Sequence, residues 1–148
     1  MEGIDPRELK AFFLLQSLTA EELTAFLAYC QRREYFEGHA VFHEKEHGEA
    51  LYIIIKGSVE IMRQGGEVLA TLCDGDFFGE VALFDYALRT AGAIAKQDTV
   101  LLEVNRNDFN KLFVKEPSIA AKLLYQMMTE MSRRLRVKNS PSGGIIFS

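Results

Sequence analysis

Apolar side chains fall at three- and four-residue spacing through Leu23, Phe26, Leu27 and Cys30, and this pattern predicts helix over residues 7–32. Thr19 and Glu22 stand three apart, the spacing of a capping box, with Ser17 as a rival cap. From 33 to about 104 the period shortens. β-branched and aromatic residues dominate, and glycine recurs at 38, 48, 57, 65, 66, 75 and 79. "EALYIIIKG" and "SVEIMRQGGEVLATL" read as two or three strands, with Gln64-Gly65-Gly66-Glu67 as a hairpin turn. "AGAIAKQDTVLLEVN" gives two more strands around Gln97-Asp98. Many short strands punctuated by glycine predict a β-barrel or β-roll.

The helical period returns after residue 105. Asn105 is placed as an N-cap, with Phe109, Leu112 and Phe113 on one face of the helix that follows. Pro117 opens a longer helix at the first-turn position it favours. Ile119, Ala120, Leu123, Leu124, Met127, Met128, Met131 and Leu135 form its apolar stripe, about four turns long. Arg133, Arg134, Arg136 and Lys138 lie in its last turns, where cations suit the helix dipole. Residues 139–148, "NSPSGGIIFS", carry turn and linker chemistry. The expected plan is helix, β-roll, then two helices: one domain over residues 8–137 and a flexible tail over 138–148.

Composition narrows the function classes. The chain has 148 residues, enough for one domain with a core. A formal net charge of −4 argues against nucleic acid as the main partner, because phosphate neutralisation needs a clustered basic surface. The apolar runs are too short to span a bilayer, and the acidic, mixed N-terminus is unlike a signal peptide. Cys30 and Cys73 form neither a metal cluster nor a disulfide framework, and the expectation is two reduced, buried thiols in a cytoplasmic protein.

The candidate chemistry lies in "FGEVALFDYALRTA", residues 78–91. Gly79 marks a point where the backbone comes close to something. "EVALF", as one helical turn, presents free N–H groups to an anion. Arg89 adds a forked positive charge, Thr90 a hydroxyl, and Ala91, Gly92 and Ala93 leave room beside them. Glu80 is an acceptor whose natural partner is a hydroxyl, such as a ribose 2′-OH. Acid for a sugar, base and N–H groups for a phosphate: the constellation suits a nucleotide monophosphate. A plain Glu80–Arg89 ion pair holding a turn is the competing reading.

The same stretch resembles the phosphate-binding cassette of cyclic nucleotide-binding domains. Phe78, Gly79, Glu80, Ala82, Leu83, Arg89 and Ala91 match, at the spacing of kinase regulatory subunits and cyclic-nucleotide-gated channels. "FEGHAVFHEKEHGEALYIIIKGSVEI" and "LLEVNRNDFNKLFVKEP" extend the resemblance over about residues 10–136. It implies a mainly β fold, a double-stranded β-helix (β-roll or jelly-roll) with N-terminal helices and C-terminal B and C helices. It also implies a ligand-binding set of Gly79, Glu80, Val81, Ala82, Arg89 and Thr90. Glu80 would hold the ribose 2′-OH, with Gly79 approaching by its backbone. Ala82 would offer its N–H to the cyclic phosphate, and Arg89 would neutralise that phosphate. Thr90 would bond the phosphate or the purine. The last helix would close as a lid, with Met127, Met131 and Arg134 as candidates. Two departures stand out: Leu88 where many members have proline before the arginine, and Asp85, expected to point to solvent.

Other motifs weigh less. His39, His43 and His47 are four residues apart, but on a strand that is about 13 Å, too far for one metal. "RRLRVK" balances a helix dipole, and too few residues follow it for a DNA-binding domain in this chain. No Ser/His/Asp or Cys/His set supports catalysis, so an enzyme is not expected. The expectation is a cyclic nucleotide sensor, stand-alone, taking cAMP or cGMP without a metal. It would signal by C-terminal helix movement to an unknown effector protein, with homodimerisation through the last helix. The alternative is a degenerate fold of the same kind that acts on a partner without nucleotide.

Overall fold

The run Ala50–Lys56 is apolar at five successive buried positions because both faces of its strand are covered. In the computed structural model, which describes Met1 and residues 3–138, this strand is β3. It lies between β8 (Thr99–Asn105) and β6 (Phe77–Phe78), and β1 (Gln31–Tyr35) completes a sheet of order β1-β8-β3-β6. A second sheet has the order β2-β7-β4-β5, from Ala40–Phe42, Gly92–Ala95, Ser58–Met62 and Val68–Cys73. Every pairing is antiparallel.

Alternation along β3 divides its side chains between two cores. Leu51 and Ile53 join Leu102, Val104 and Phe77 in a cluster shared with the helices. Tyr52 and Ile54 face inward with Phe42, Val59, Ile61, Phe78 and Leu101, between the two sheets. The β-roll expected from the sequence is therefore present. The Gln64–Glu67 turn joins β4 to β5 as read, closed by Arg63 N–H donating to Glu67 O at 2.9 Å.

The N-terminal prediction needs correction. Residues 7–32 are not one helix: α1 is Pro6–Leu9, α2 is Ala20–Leu27, and β1 already begins at Gln31. Between the two helices the chain makes successive i→i+3 turns, with Phe12 N–H bonding Leu9 O and Leu15 N–H bonding Phe12 O. These turns bury Leu9, Leu14, Leu15 and Leu18 together, so burial rather than helical period sets their spacing. Thr19 is the N-cap of α2, and the capping box with Glu22 is complete.

At the other end Asn105 caps α3 (Arg106–Lys115), and Pro117 opens α4 (Pro117–Lys138), both as predicted. The stripe on α4 splits, however. Ile119, Ala120, Leu123 and Met127 are buried, whereas Met128 is 65% and Leu135 46% exposed. The first half of α4 is fastened to the N-terminal segment. Lys122 Nζ lies 2.6 Å from Glu22 Oε1, Ser118 donates to Glu22, and Gln126 Nε2 donates to Phe13 O. Cys30 is buried, but Cys73 is exposed, because it ends the edge strand β5 on its outward side. The tail expected over 138–148 lies, beyond Lys138 itself, outside the described residues.

Candidate functional site

Gly79 is the pivot of the cassette. Its φ of 80° is left-handed, and a Cβ there would sit 2.9 Å from both Ala50 O and Arg89 Nη1. Beyond it the chain makes a single 3₁₀ turn, Glu80–Leu83. The Ala82 N–H assigned to an incoming phosphate donates within this turn to Gly79 O at 3.2 Å.

Arg89 is only 6% exposed. Its Nη1 donates to Gly79 O at 3.0 Å and its Nη2 to Ala50 O at 2.9 Å. The guanidinium lies 4.0 Å over the Phe42 ring. Nε, buried, has no hydrogen-bond partner. Burial lowers the arginine's pKa, with nearby Tyr52 and Glu80 opposing, yet a guanidinium stays charged. Its backbone is held as firmly as its side chain. Arg89 N–H bonds Glu46 O at 2.7 Å, and Lys45 N–H bonds Arg89 O at 2.8 Å. Leu88, in place of proline, pairs as a β-bridge with His47. These bonds fix the turn without the ring of a proline. Asp85 points outward as expected and accepts from Ala87 N–H.

Glu80 is 1% exposed, and the arginine that meets it is Arg134 of α4, not Arg89. Arg134 Nη1 is 3.2 Å from Oε1, and Nη2 donates to Phe77 O at 2.9 Å. The second carboxylate oxygen, Oε2, is buried and unpartnered. Burial raises the Glu80 pKa, and the Arg134 charge pulls it back. The simple Glu80–Arg89 ion pair is thus not what the spacing encodes.

Arg134 also lines a cleft of ≈ 270 Å³ between β5 and α4, with Thr71, Leu72, Asp76, Glu130 and Val137. Of the three lid candidates it is the one that reaches this cleft. Met127 is 2% exposed within the helix-side core, since it follows Leu123 one turn on along the same face. Met131 is half-buried, and Thr90 and Val81 flank the cassette at exposed and half-buried positions.

Three further residues were not legible as site residues. Gly48 packs so closely that a Cβ there would lie 2.7 Å from Arg89 Nε and from Ala82 Cβ. Phe42 supports the guanidinium from below. Arg106, at the start of α3, donates to Ala82 O and to Gly48 O. A cation at the N-terminus of a helix opposes the dipole, and that misfit was the available signal for Arg106. His39, His43 and His47 are exposed, and no cluster of His, Cys, Asp or Glu among the described residues is placed to hold a metal. No helix among them is long and apolar enough to cross a membrane.

Comparison with known proteins shows the family and the fold. The family model of the cyclic nucleotide-binding domain matches residues 32–116. The cyclic AMP receptor protein of Thermus thermophilus is 36% identical over 132 residues, covering 86% of this chain and 59% of that protein. The cAMP-activated global transcriptional regulator CRP of Salmonella typhimurium is 33% identical, over 87% of this chain and 62% of its own. The crystal structure of the Thermus thermophilus catabolite activator protein superposes with a TM-score of 0.74 at 36% identity, covering 84% of this chain and 58% of that one. The chain belongs to the cyclic nucleotide-binding domain family. It spans about three-fifths of the length of these curated relatives.

Proposed function

We propose that the chain is a sensor module for a cyclic purine nucleotide, cAMP in the first instance and cGMP in the second. The observation that carries this reading is a pair of orphaned atoms. Glu80 Oε2 is a buried acceptor without a donor, and Arg89 Nε is a buried donor without an acceptor. Buried polar groups are normally satisfied, so two such atoms of opposite kind in one cassette call for a ligand that supplies both. A ribose 2′-OH donates to Glu80, and a cyclic phosphate accepts from Arg89, from Thr90 and, once its 3.2 Å bond to Gly79 O gives way, from Ala82 N–H. The purine occupies the cleft beside Arg134. The relatives' names, which specify cyclic AMP, favour the adenine ligand.

Signalling follows by population shift. Arg134 occupies one oxygen of Glu80 in the present state. A nucleotide that engages Glu80 repositions α4, and it must bind the repositioned state more tightly to hold it there. The exposed side of α4 offers the output surface: Tyr125, Met128, Ser132 and Leu135 repeat at spacings of three, four and three. That is a heptad seam, and a second copy of the chain is its natural partner.

Thermal denaturation with cAMP, cGMP and AMP tests the reading, since a ligand of the folded state raises the transition by mass action. A rise with a cyclic nucleotide and none with AMP supports it. A flat response to both cyclic nucleotides overturns it in favour of a nucleotide-free interaction module.

A further inference from the structure

Glu80 is 1% exposed and its carboxylate is only half satisfied. Arg134 Nη1 meets Oε1 at 3.2 Å, while Oε2 is buried without a donor. Burial pushes this side chain towards its protonated form, and two cations pull it back: Arg134 from α4 and Arg89 from the end of the cassette. Glu130 of α4 works against them, and it shares Arg134, whose Nε it meets at 3.4 Å. The remaining charges nearby are engaged with one another or with the backbone. Arg133 bonds Glu130 and feels Asp76, Tyr52 of β3 lies near Arg89, and Arg106 of α3 donates to Ala82 O and Gly48 O. The ionised form of Glu80 therefore depends on Arg134 and Arg89.

A cyclic nucleotide acts on both cations. Its phosphate places a negative charge on Arg89, which then no longer favours a second anion close by. Its ribose claims the carboxylate that Arg134 holds, so that a neutral hydroxyl stands where a guanidinium stood. The ligand also keeps water away from Oε2. Each of these changes favours the neutral acid. The hydrogen bond from the 2′-OH favours the carboxylate, but a hydroxyl is a weaker partner than the charged donor it replaces. A protonated Glu80 still accepts from the 2′-OH through its carbonyl oxygen. The ligand's phosphate is not the proton carrier. It is a diester, without the second ionisation near ~6 of a phosphate monoester.

We infer that cyclic nucleotide binding is coupled to a proton, which Glu80 takes up as the ligand enters the cassette. This rests on the nucleotide reading above and adds to it a control of affinity by pH. By linkage, a proton gained in the complex strengthens binding as pH falls. The gain is at most about tenfold in affinity per pH unit, reached while a full proton is taken up. It ends at the pH where Glu80 is already protonated in the free protein.

Titration calorimetry of the full chain with cAMP and cGMP, in buffers of different ionisation enthalpy, tests this. The slope of binding heat against buffer ionisation enthalpy counts the protons exchanged. Wild type should show net uptake, and its affinity should rise between about pH 8 and about pH 6. Glu80→Gln has no proton to gain, and it should bind more weakly with a slope near zero. His47→Gln controls for the imidazole whose backbone bridges Leu88, next to Arg89, and it should keep the wild-type slope. Wild-type binding without net uptake, uptake that survives in Glu80→Gln, or uptake that vanishes in His47→Gln would each overturn the inference and leave the nucleotide reading intact. A wild type that binds neither nucleotide would overturn the reading and the inference together. Should Glu80→Gln not fold, the infrared difference spectrum of wild type decides. Nucleotide must raise a protonated-carboxyl band, and the absence of that band overturns the inference.

Discussion

Arg134 Nη1 lies 3.2 Å from Glu80 Oε1, joining the last helix to the cassette across 54 positions of sequence. The side chains are 9% and 1% exposed, so the pair is held away from water. Glu130 adds a second carboxylate, 3.4 Å from Arg134 Nε. Under the proposed function, this pair and the bond from Arg134 Nη2 to Phe77 O tie the last helix to the nucleotide pocket, on the very group that a ribose would address.

Removing Arg134 leaves Glu80 buried and uncompensated. Arg134→Ala should destabilise the fold by about 3 kcal/mol, the low end for a broken buried pair, because Glu80 then takes up a proton. Urea denaturation measures this. Combining Arg134→Ala with Glu80→Gln should cost less than the sum of the two single changes. Additive losses would mean that the pair has no coupling of its own.

Arg89→Ala should lower cyclic nucleotide affinity by several kcal/mol, as expected when a buried charged partner is removed. Titration calorimetry reads it directly, and unchanged binding would remove the phosphate role. Glu80→Gln should weaken the natural ligand more than its 2′-deoxy analogue. Equal losses for the two ligands would take the 2′-OH away from Glu80.

Gly48→Ala tests the wall behind Arg89. The added methyl meets Arg89 Nε and Ala82 Cβ at 2.7 Å, so one of them must move. Nucleotide affinity should fall in proportion to that displacement. Gly79→Ala should cost stability as well, by about 1–3 kcal/mol, because its left-handed φ of 80° strains any side chain and the added methyl meets Ala50 O and Arg89 Nη1 at 2.9 Å.

Glu22 gives the fold a pH dependence. Hydrogen bonds from Lys122, Thr19 and Ser118, with burial opposing, lower its pKa to about 2. A depressed carboxylate stabilises the folded state above its unfolded pKa, and the contribution is lost as pH falls through the folded value. Stability should therefore decline between roughly pH 4.5 and pH 2. Glu22→Gln should flatten that segment of the pH–stability curve. An unaltered acid limb in the variant would show that other carboxylates produce it.

The seam on α4 predicts a dimer. Sedimentation should find two copies in wild type, and Met128→Glu should return a monomer with its fold intact. A monomeric wild type at high concentration would leave the exposed stripe to a different partner.

Much of this was legible in the sequence because local rules suffice for it. Thr19 and Glu22 specify a cap within four residues, and the alternation in β4 and β8 needs one neighbour on each side. The cassette residues were visible by type and spacing. What escaped depends on contacts distant along the chain. The spacing of Leu14, Leu15 and Leu18 mimics a helix because the core they enter is irregular. The partner of Glu80 could not be read nine residues away at Arg89, since it lies on α4. Gly48 looked like an ordinary turn glycine, and its closeness to Arg89 arises only when the roll closes. Cys73 was expected inside because nothing local marks β5 as an edge.

The position of Cys73 has a practical consequence. The protein has two cysteines, and the other, Cys30, is buried. Cys73 directly follows Leu72, which lines the cleft under α4. The Asp76 carboxylate and, secondarily, burial raise the pKa of this thiol, so it labels best in mildly alkaline solution. A single environment-sensitive dye attached there would sit beside the cleft that α4 covers. Under the proposed function, ligand-driven motion of α4 would become an optical signal, read from an attachment point that the sequence already carries.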